Sequence, residues 1–182
     1  MNTAMMRSGK ANRLVYLVLG LLLIAVAALA LLNSGDRELQ RALEEKREFL
    51  ILTDGDYTAT VNLHIILDLD PQRFTTSFAT SITAQRETVM HGVELRLLLE
   101  ALKVDTTRAV RYTVSGMDGY YSPLTREEVE NEESVYICYS MDDKILEAQS
   151  EGGYGPFMMV IRGSHFAQRW CKYVEAVDVI TE

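Results

Sequence analysis

The chain has 182 residues, with 18 Lys and Arg against 26 Asp and Glu and a formal net charge of −8 at pH 7. Three of the basic residues lie at or before residue 13, so the remainder carries 15 basic and 26 acidic side chains, a charge of −11. This excess of acid excludes a phosphate-neutralising surface, and we expect no nucleic-acid partner. Two cysteines, Cys138 and Cys171, are too few for a fold built on disulfides, although an exported pair can oxidise when close enough.

Residues 14–32 contain no charged side chain and follow Arg7, Lys10 and Arg13. At about 1.5 Å per residue this stretch reaches about 28 Å as a helix, close to the thickness of a bilayer core. We therefore predict a cytoplasmic tail over 1–13, a transmembrane signal-anchor helix over 14–33 and a single-pass protein of the cell membrane. Basic residues stay on the cytoplasmic side, so the rest of the chain is expected outside the cytoplasm. A cleaved signal peptide is the alternative, because Ala28-Leu29-Ala30 fits the A-x-A pattern of a cleavage site.

Residues 34–48 are rich in charge and in helix-forming residues, which predicts a short solvated helical stalk. No linker rich in Pro, Ser or Gly divides residues 49–182, so we predict one extracytoplasmic domain there. Asp54-Gly55 between apolar β-forming residues is typical of a hairpin turn.

Helices and strands alternate in this domain without a regular βα repeat, which predicts an α+β fold with a substantial mixed sheet and short helices. The apolar spacing of residues 61–69 predicts a short helix, and 91–94 are expected to open another, whose apolar face includes Leu95, Leu98 and Leu99. Thr125 with Glu128 predicts a capped helical turn, and Asp142-Asp143 a tight turn. The predicted strands span residues 49–53, 57–60, 74–83, 108–115, 134–139, 157–161 and 175–180.

The order of several short motifs resembles the molybdopterin-binding domain of the sulfite oxidase family over residues 49–180. The motifs are Gly92-Val93-x-Leu95-x-x-Leu98-Leu99, Asp118-Gly119-Tyr120, Gly155-Pro156-Phe157 and Trp170-x-Lys172-x-Val174. The resemblance implies a mixed α+β domain that holds a molybdenum–pterin cofactor and oxidises or reduces small substrates such as sulfite or sulfoxides.

The chemistry of that family requires a cysteine thiolate on the metal, in the segment that precedes the Gly-Val-x-Leu helix. Residues 78–91 of this chain contain no cysteine, and Ser81 and Thr83 offer only hydroxyl groups, which are poor ligands for a soft site. An arginine that the family commonly carries after its Gly-x-Pro segment is replaced by Phe157-Met158-Met159. These departures predict no catalytic residue and no metal ligand.

The resemblance places several residues at the edge of a cofactor cavity. The candidates for ligand or cofactor binding are His91, Asp118, Gly119, Tyr120, Tyr121, Gly153 and Gly155. For the Asp-Gly-Tyr-Tyr segment an ordinary turn is an equal alternative. For the glycines a structural loop is favoured over a phosphate cradle, because the spacing matches neither a dinucleotide-binding loop nor a Walker motif. No Asp or Cys neighbour is apparent for His91.

We therefore expect a membrane-anchored extracytoplasmic module that binds a small ligand or an envelope protein without catalysing a reaction. One alternative is a genuine molybdenum–pterin oxidoreductase or its subunit, which would hold molybdopterin without the cysteine. Another is an envelope scaffold that recognises a neighbour through its acidic surface.

Overall fold

The computed structural model describes residues 6–32, 34–45, 47–78, 85–163 and 167–182. The chain divides into two compact units, Met1–Gln40 and Arg41–Glu182. The second unit therefore begins within the predicted stalk and includes its last residues.

The first unit is dominated by helix α1, Met6–Leu32. Large apolar side chains from Val15 to Leu29 are exposed along it. Counting only the residues that the structure describes, no helix is both long and apolar enough to qualify as a membrane span. The anchor, its orientation and the membrane localisation stay predictions.

Helix α2, Ser34–Glu44, crosses the division between the units. Within the second unit, the side chain of Ala42 is buried and the Arg47 guanidinium donates to the Leu146 carbonyl at 2.7 Å. The same guanidinium pairs with Glu45 at 2.7 Å. The end of the predicted stalk is thus part of the domain and not a fully solvated helix.

The described residues of the second unit form ten strands and three further short α-helices. The strands are β1 Glu48–Thr53, β2 Asp56–Asn62, β3 Gln72–Phe78, β4 Arg86–Glu94, β5 Ala109–Gly116, β6 Tyr121–Thr125, β7 Val135–Met141, β8 Lys144–Ile145, β9 Met158–Ile161 and β10 Val174–Thr181. The helices are α3 Leu63–Asp68, α4 Leu95–Ala101 and α5 Arg126–Glu130.

These strands form two sheets where the sequence predicted one substantial sheet. Sheet A has the order β2-β1-β10-β5-β6 and is mixed, because β1 and β10 are parallel and the other pairs are antiparallel. Sheet B has the order β3-β4-β7-β8, with β9 also paired to β7, and its pairs are antiparallel. The α+β class with short helices is confirmed.

The core lies where the inner residues of both sheets meet the short helices. All seven residues of β7 are buried, as are all four of β9. In β1 burial alternates, with Phe49 and Ile51 inside and Leu50 partly exposed. Phe49 packs edge-on against Phe157, with ring centroids 5.2 Å apart.

Two predicted helices are wrong in their extent. Residues 91–94 do not open a helix: they end strand β4, and α4 starts only at Leu95. Pairing of β4 with both β3 and β7 supplies backbone hydrogen bonds that override the helical spacing of the leucines. The predicted helix over 61–69 is shorter, because 61–62 belong to β2.

Candidate functional site

Three loops of the second unit meet at one place, which we call the loop junction. It comprises residues 116–121, from the last residue of β5 to the first of β6, residues 152–156 before β9, and residues 171–173 before β10. Two backbone hydrogen bonds join them in series: the Met117 amide donates to the Tyr173 carbonyl at 3.0 Å, and the Tyr173 amide donates to the Tyr154 carbonyl at 3.0 Å. Four of the predicted site residues lie in the first loop and two in the second.

The first loop is a turn held by hydrogen bonds among its own polar groups. The Asp118 carboxylate accepts from the Tyr120 amide at 3.1 Å, and the Gly119 amide donates to the Gly116 carbonyl at 2.9 Å. Gly119 has φ +80°, a left-handed conformation that costs glycine little. Asp118 is thus a turn former in this structure, with its carboxylate at the exposed tip.

The two tyrosines of this loop differ in their contacts. The Tyr120 hydroxyl donates to the Gln168 carbonyl at 2.6 Å, which fastens the loop to the segment before β10. Tyr121 is 65 % exposed and pairs with Ser115 in the register of β6 and β5. Tyr121 therefore has its ring available to an incoming molecule, whereas the Tyr120 hydroxyl is already bonded.

The second loop is built for close packing. The Gly153 amide donates to the Ala148 carbonyl at 3.1 Å and the Gly155 amide to the Glu147 carbonyl at 2.7 Å. A Cβ atom on Gly153 would collide with the backbone of Glu147. Because both amides are used within the loop, they do not form an anion cradle.

Lys172, which the sequence analysis named only within the motif Trp170-x-Lys172-x-Val174, lies at the loop junction. The Lys172 ammonium sits 4.2 Å from the centroid of the Tyr154 ring, a cation–π contact. The Tyr154 ring also packs against Phe78, whose centroid is 5.9 Å away, and Phe78 packs against Trp170 at 5.6 Å. The junction therefore combines a half-buried cation with an aromatic cluster. No local spacing signals this arrangement, because Lys172 and Tyr154 come from different loops.

His91 lies in sheet B, on β4, and the structure shows no contact between it and the loop junction. Its Nε2 atom is buried and lies 3.1 Å from Asp143 Oδ1, in a geometry that is not a hydrogen bond. The expectation that His91 has no acidic neighbour is wrong: pairing of β4 with β7 brings it beside the turn that follows β7. Arg73 also reaches Asp143, at 3.3 Å, and helps hold the pKa of that carboxyl below its usual value.

Both cysteines are buried and unpaired. Burial raises the pKa of the Cys138 thiol strongly, and burial together with the Asp118 charge raises that of Cys171 to about 12. The ideal Cβ position of Gly92 is 2.9 Å from Cys138 Sγ, so this sulfur fills the space beside a glycine. Both sulfurs are therefore packed as neutral thiols in the core.

The other residues that the family resemblance singled out are Ser81, Thr83 and the segment Phe157-Met158-Met159. Ser81 and Thr83 lie outside the described residues. Phe157, Met158 and Met159 are fully buried, in the position where the resembled family commonly has an arginine. Within the described part of the chain, no group of three or more His, Cys, Asp or Glu side chains is arranged to hold a metal ion.

No protein-family model and no curated protein matches the chain. Among solved structures, the sulfane dehydrogenase SoxCD from Paracoccus pantotrophus has a similar fold, with a TM-score of 0.56 and 14 % sequence identity. The match covers 75 % of this chain and 38 % of that chain, so the likeness spans well under half of the solved protein. The chain shares with it a mixed α+β fold, and at this identity the likeness extends to the fold alone.

Proposed function

We propose that this protein is a membrane-anchored, extracytoplasmic binding module, in which a sulfite-oxidase-like fold recognises a small ligand or a partner protein without catalysing oxidation. Two independent likenesses support the choice of fold. The order of motifs over residues 49–180 resembles the molybdopterin-binding domain of the sulfite oxidase family, and the fold is similar to a sulfane dehydrogenase.

The side chains available as metal ligands support the non-catalytic part of the proposal. A molybdenum–pterin centre of the resembled family would need a thiolate between residues 78 and 91, and that segment has no cysteine. Neither Cys138 nor Cys171 lies in that segment: both are buried, Cys138 on β7 and Cys171 in the bridge beside β9. The residues present therefore do not fit a thiolate-bound molybdenum, and we assign no redox step to them.

The loop junction is the region that we propose for ligand binding. Lys172 supplies a positive charge over Tyr154, and Tyr121 supplies an exposed aromatic face. A cation beside aromatic rings suits a small ligand that is planar, anionic or both. Asp118 lies at the tip of the same turn and disfavours a ligand whose anionic group reaches that far.

The location of the protein rests on the charge and hydropathy pattern of residues 1–33. Protease digestion of intact cells or spheroplasts tests it with an antibody to the C-terminus. Degradation of the domain without disruption of the membrane supports an external domain, and protection until detergent is added contradicts it.

Metal and pterin content test the non-catalytic proposal. The full chain is purified in detergent from a host that makes the molybdenum cofactor, and a cysteine-containing member of the resembled family from the same host is the loading control. We expect the control to carry the cofactor and this chain to lack it. Stoichiometric molybdenum and pterin on the chain would favour the oxidoreductase alternative.

A further inference from the structure

The chain enters the second unit at the same end of sheet A as the loop junction. Strands β1 and β10 are parallel and begin at this end, with Glu48 and Val174, and β5 runs the other way and ends there at Gly116. Tyr121 then starts β6 at the same end. We call this the entry end of sheet A. The first loop of the junction therefore lies at the end where β1 starts.

Contacts of the entering chain support this placement from the second loop. The Arg41 guanidinium lies 3.5 Å from a carboxylate oxygen of Glu151, directly before the second loop of the junction. The Arg47 guanidinium donates to the Leu146 carbonyl in the same segment at 2.7 Å. Residues 41–47 are therefore held against the segment that leads into the loop junction.

Few residues separate the entry end from the proposed membrane anchor. The predicted anchor ends at residue 33, and Arg41 already belongs to the second unit. A fully extended chain advances at most about 3.6 Å per residue, so the steps from residue 33 to residue 41 reach about 30 Å at most. This short tether keeps the entry end of the domain close to the membrane surface if the anchor is inserted.

Exposed apolar and aromatic side chains are concentrated in the first loop. Six large side chains of this kind are exposed in the described part of the second unit, and three of them are Met117, Tyr120 and Tyr121, at 51 %, 39 % and 65 %. Tyrosine is typical of the membrane–water interface, because its ring is apolar and its hydroxyl is polar. Asp118 lies in the same loop and suits only the headgroup region, so any insertion of the loop is shallow.

We propose that the first loop, residues 117–121, rests on the outer surface of the membrane that anchors this chain. The inference depends on the anchor in the proposed function and on no particular ligand. Because the tether makes the contact intramolecular, a few side chains are enough to maintain it.

Exposed carboxylates at or next to the entry end restrict the kind of lipid. They belong to Glu48, Asp118, Glu147 and Glu175. An anionic lipid surface would repel these groups, so the contact is with a zwitterionic surface.

Spin labels at two positions test the proposal in the full chain, reconstituted into phosphatidylcholine vesicles. Met117→Cys places the label in the loop, and Val110→Cys places it at a 43 % exposed position at the opposite end of sheet A, where β5 begins. The parent chain, whose two cysteines are buried, measures any label that they take up. Circular dichroism checks that both variants fold, and Tyr121→Cys replaces Met117→Cys if that variant does not.

The readout is the ratio of label collisions with dissolved oxygen, which concentrates in lipid, to collisions with a water-soluble nickel chelate. We expect this ratio to be severalfold higher at residue 117 than at residue 110. Phosphatidylglycerol added to the vesicles should reduce the difference, because it makes the surface anionic.

The outcomes separate this contact from the proposed function. Equal ratios at the two positions, or a higher ratio at residue 110, in a chain that floats with the vesicles would overturn the contact and leave the anchor standing. A chain that no longer floats with the vesicles after an alkaline wash would overturn the anchor and the contact together. Neither result bears on cofactor content.

Discussion

Cys138 and Cys171 lie on opposite sides of strand β9. Cys138 pairs with Met158 across the β7–β9 ladder, and Cys171 pairs with Met159 on the other side. Two strand spacings separate their backbones by about 9.6 Å, beyond the separation of about 7 Å that a disulfide can span. The two sulfurs are therefore separate core groups, although the chain is proposed to work in an oxidising compartment.

We predict that both cysteines stay reduced and react slowly. Alkylation of the folded full chain should leave both thiols unmodified over times that modify a small-molecule thiol fully, because burial raises both pKa values. After denaturation without reductant, both should be alkylated, as mass spectrometry measures. A disulfide-linked peptide containing the two residues would contradict this account of β9.

The turn between β7 and β8 should be a source of acid sensitivity. Hydrogen bonds from the Thr88 hydroxyl and the Arg86 guanidinium lower the pKa of Asp142 from 3.8 to about 2. A pKa that is lower in the folded state makes the ionised carboxylate stabilising above about pH 4, and this stabilisation is lost as the pH falls toward about 2.

Asp142→Asn tests this contribution. Asn tolerates the positive φ of 52° at this position, so the turn is retained while the charge is lost. We expect the free energy of unfolding at neutral pH to fall by about 1 kcal/mol, a value discounted for partial exposure, and to depend less on pH between about 4 and 2. Asp143→Asn is the control, since its exposed pair with Arg73 should contribute little.

The capped turn at α5 should contribute measurably to stability. The Thr125 hydroxyl accepts from the Glu128 amide, and the Glu128 carboxylate accepts from the Thr125 amide at 2.9 Å, a complete capping box. Thr125→Ala should lower the free energy of unfolding in urea by about 1 kcal/mol, and Thr125→Ser, which keeps the hydroxyl, should lower it much less. Equal losses in the two variants would show that the hydroxyl is not the stabilising group.

The glycine loop should respond to added volume. Gly153→Ala is expected to lower the free energy of unfolding by about 1–3 kcal/mol, because the new methyl group meets the backbone of Glu147. Gln149→Ala, at an exposed position in the same segment, should have little effect. If Gly153→Ala is as stable as the parent chain, the packing role of Gly153 is wrong.

The parts of the fold that could be predicted from the sequence are those that depend on neighbouring residues. The Asp54-Gly55 hairpin, the cap at Thr125 and the turn at Asp142-Asp143 each depend on a few neighbouring residues, and each is confirmed. The buried strand over 134–139 was predictable in the same way, because its apolar run is short and bounded by polar residues.

Features that depend on distant pairing were not predictable. Residues 91–94 have a helical neighbour in sequence but form a strand through contacts with β7, more than forty residues later. The same pairing brings Asp143 beside His91. Lys172 meets Tyr154 only because two loops cross. The cavity roles of Asp118, Tyr120, Gly153 and Gly155 stay predictions, while their local contacts explain each of them as part of a turn or a packed loop.

The most direct test of the central claim is the molybdenum and pterin content of the full chain. The chain is purified in detergent from a host that makes the cofactor, and a cysteine-containing member of the resembled family, made in the same host, shows that the host inserts it. Our account predicts a folded protein without either component, because the segment over 78–91 has no cysteine and both cysteines of the chain are buried elsewhere in the domain. Molybdenum and pterin near one equivalent for each chain would contradict it.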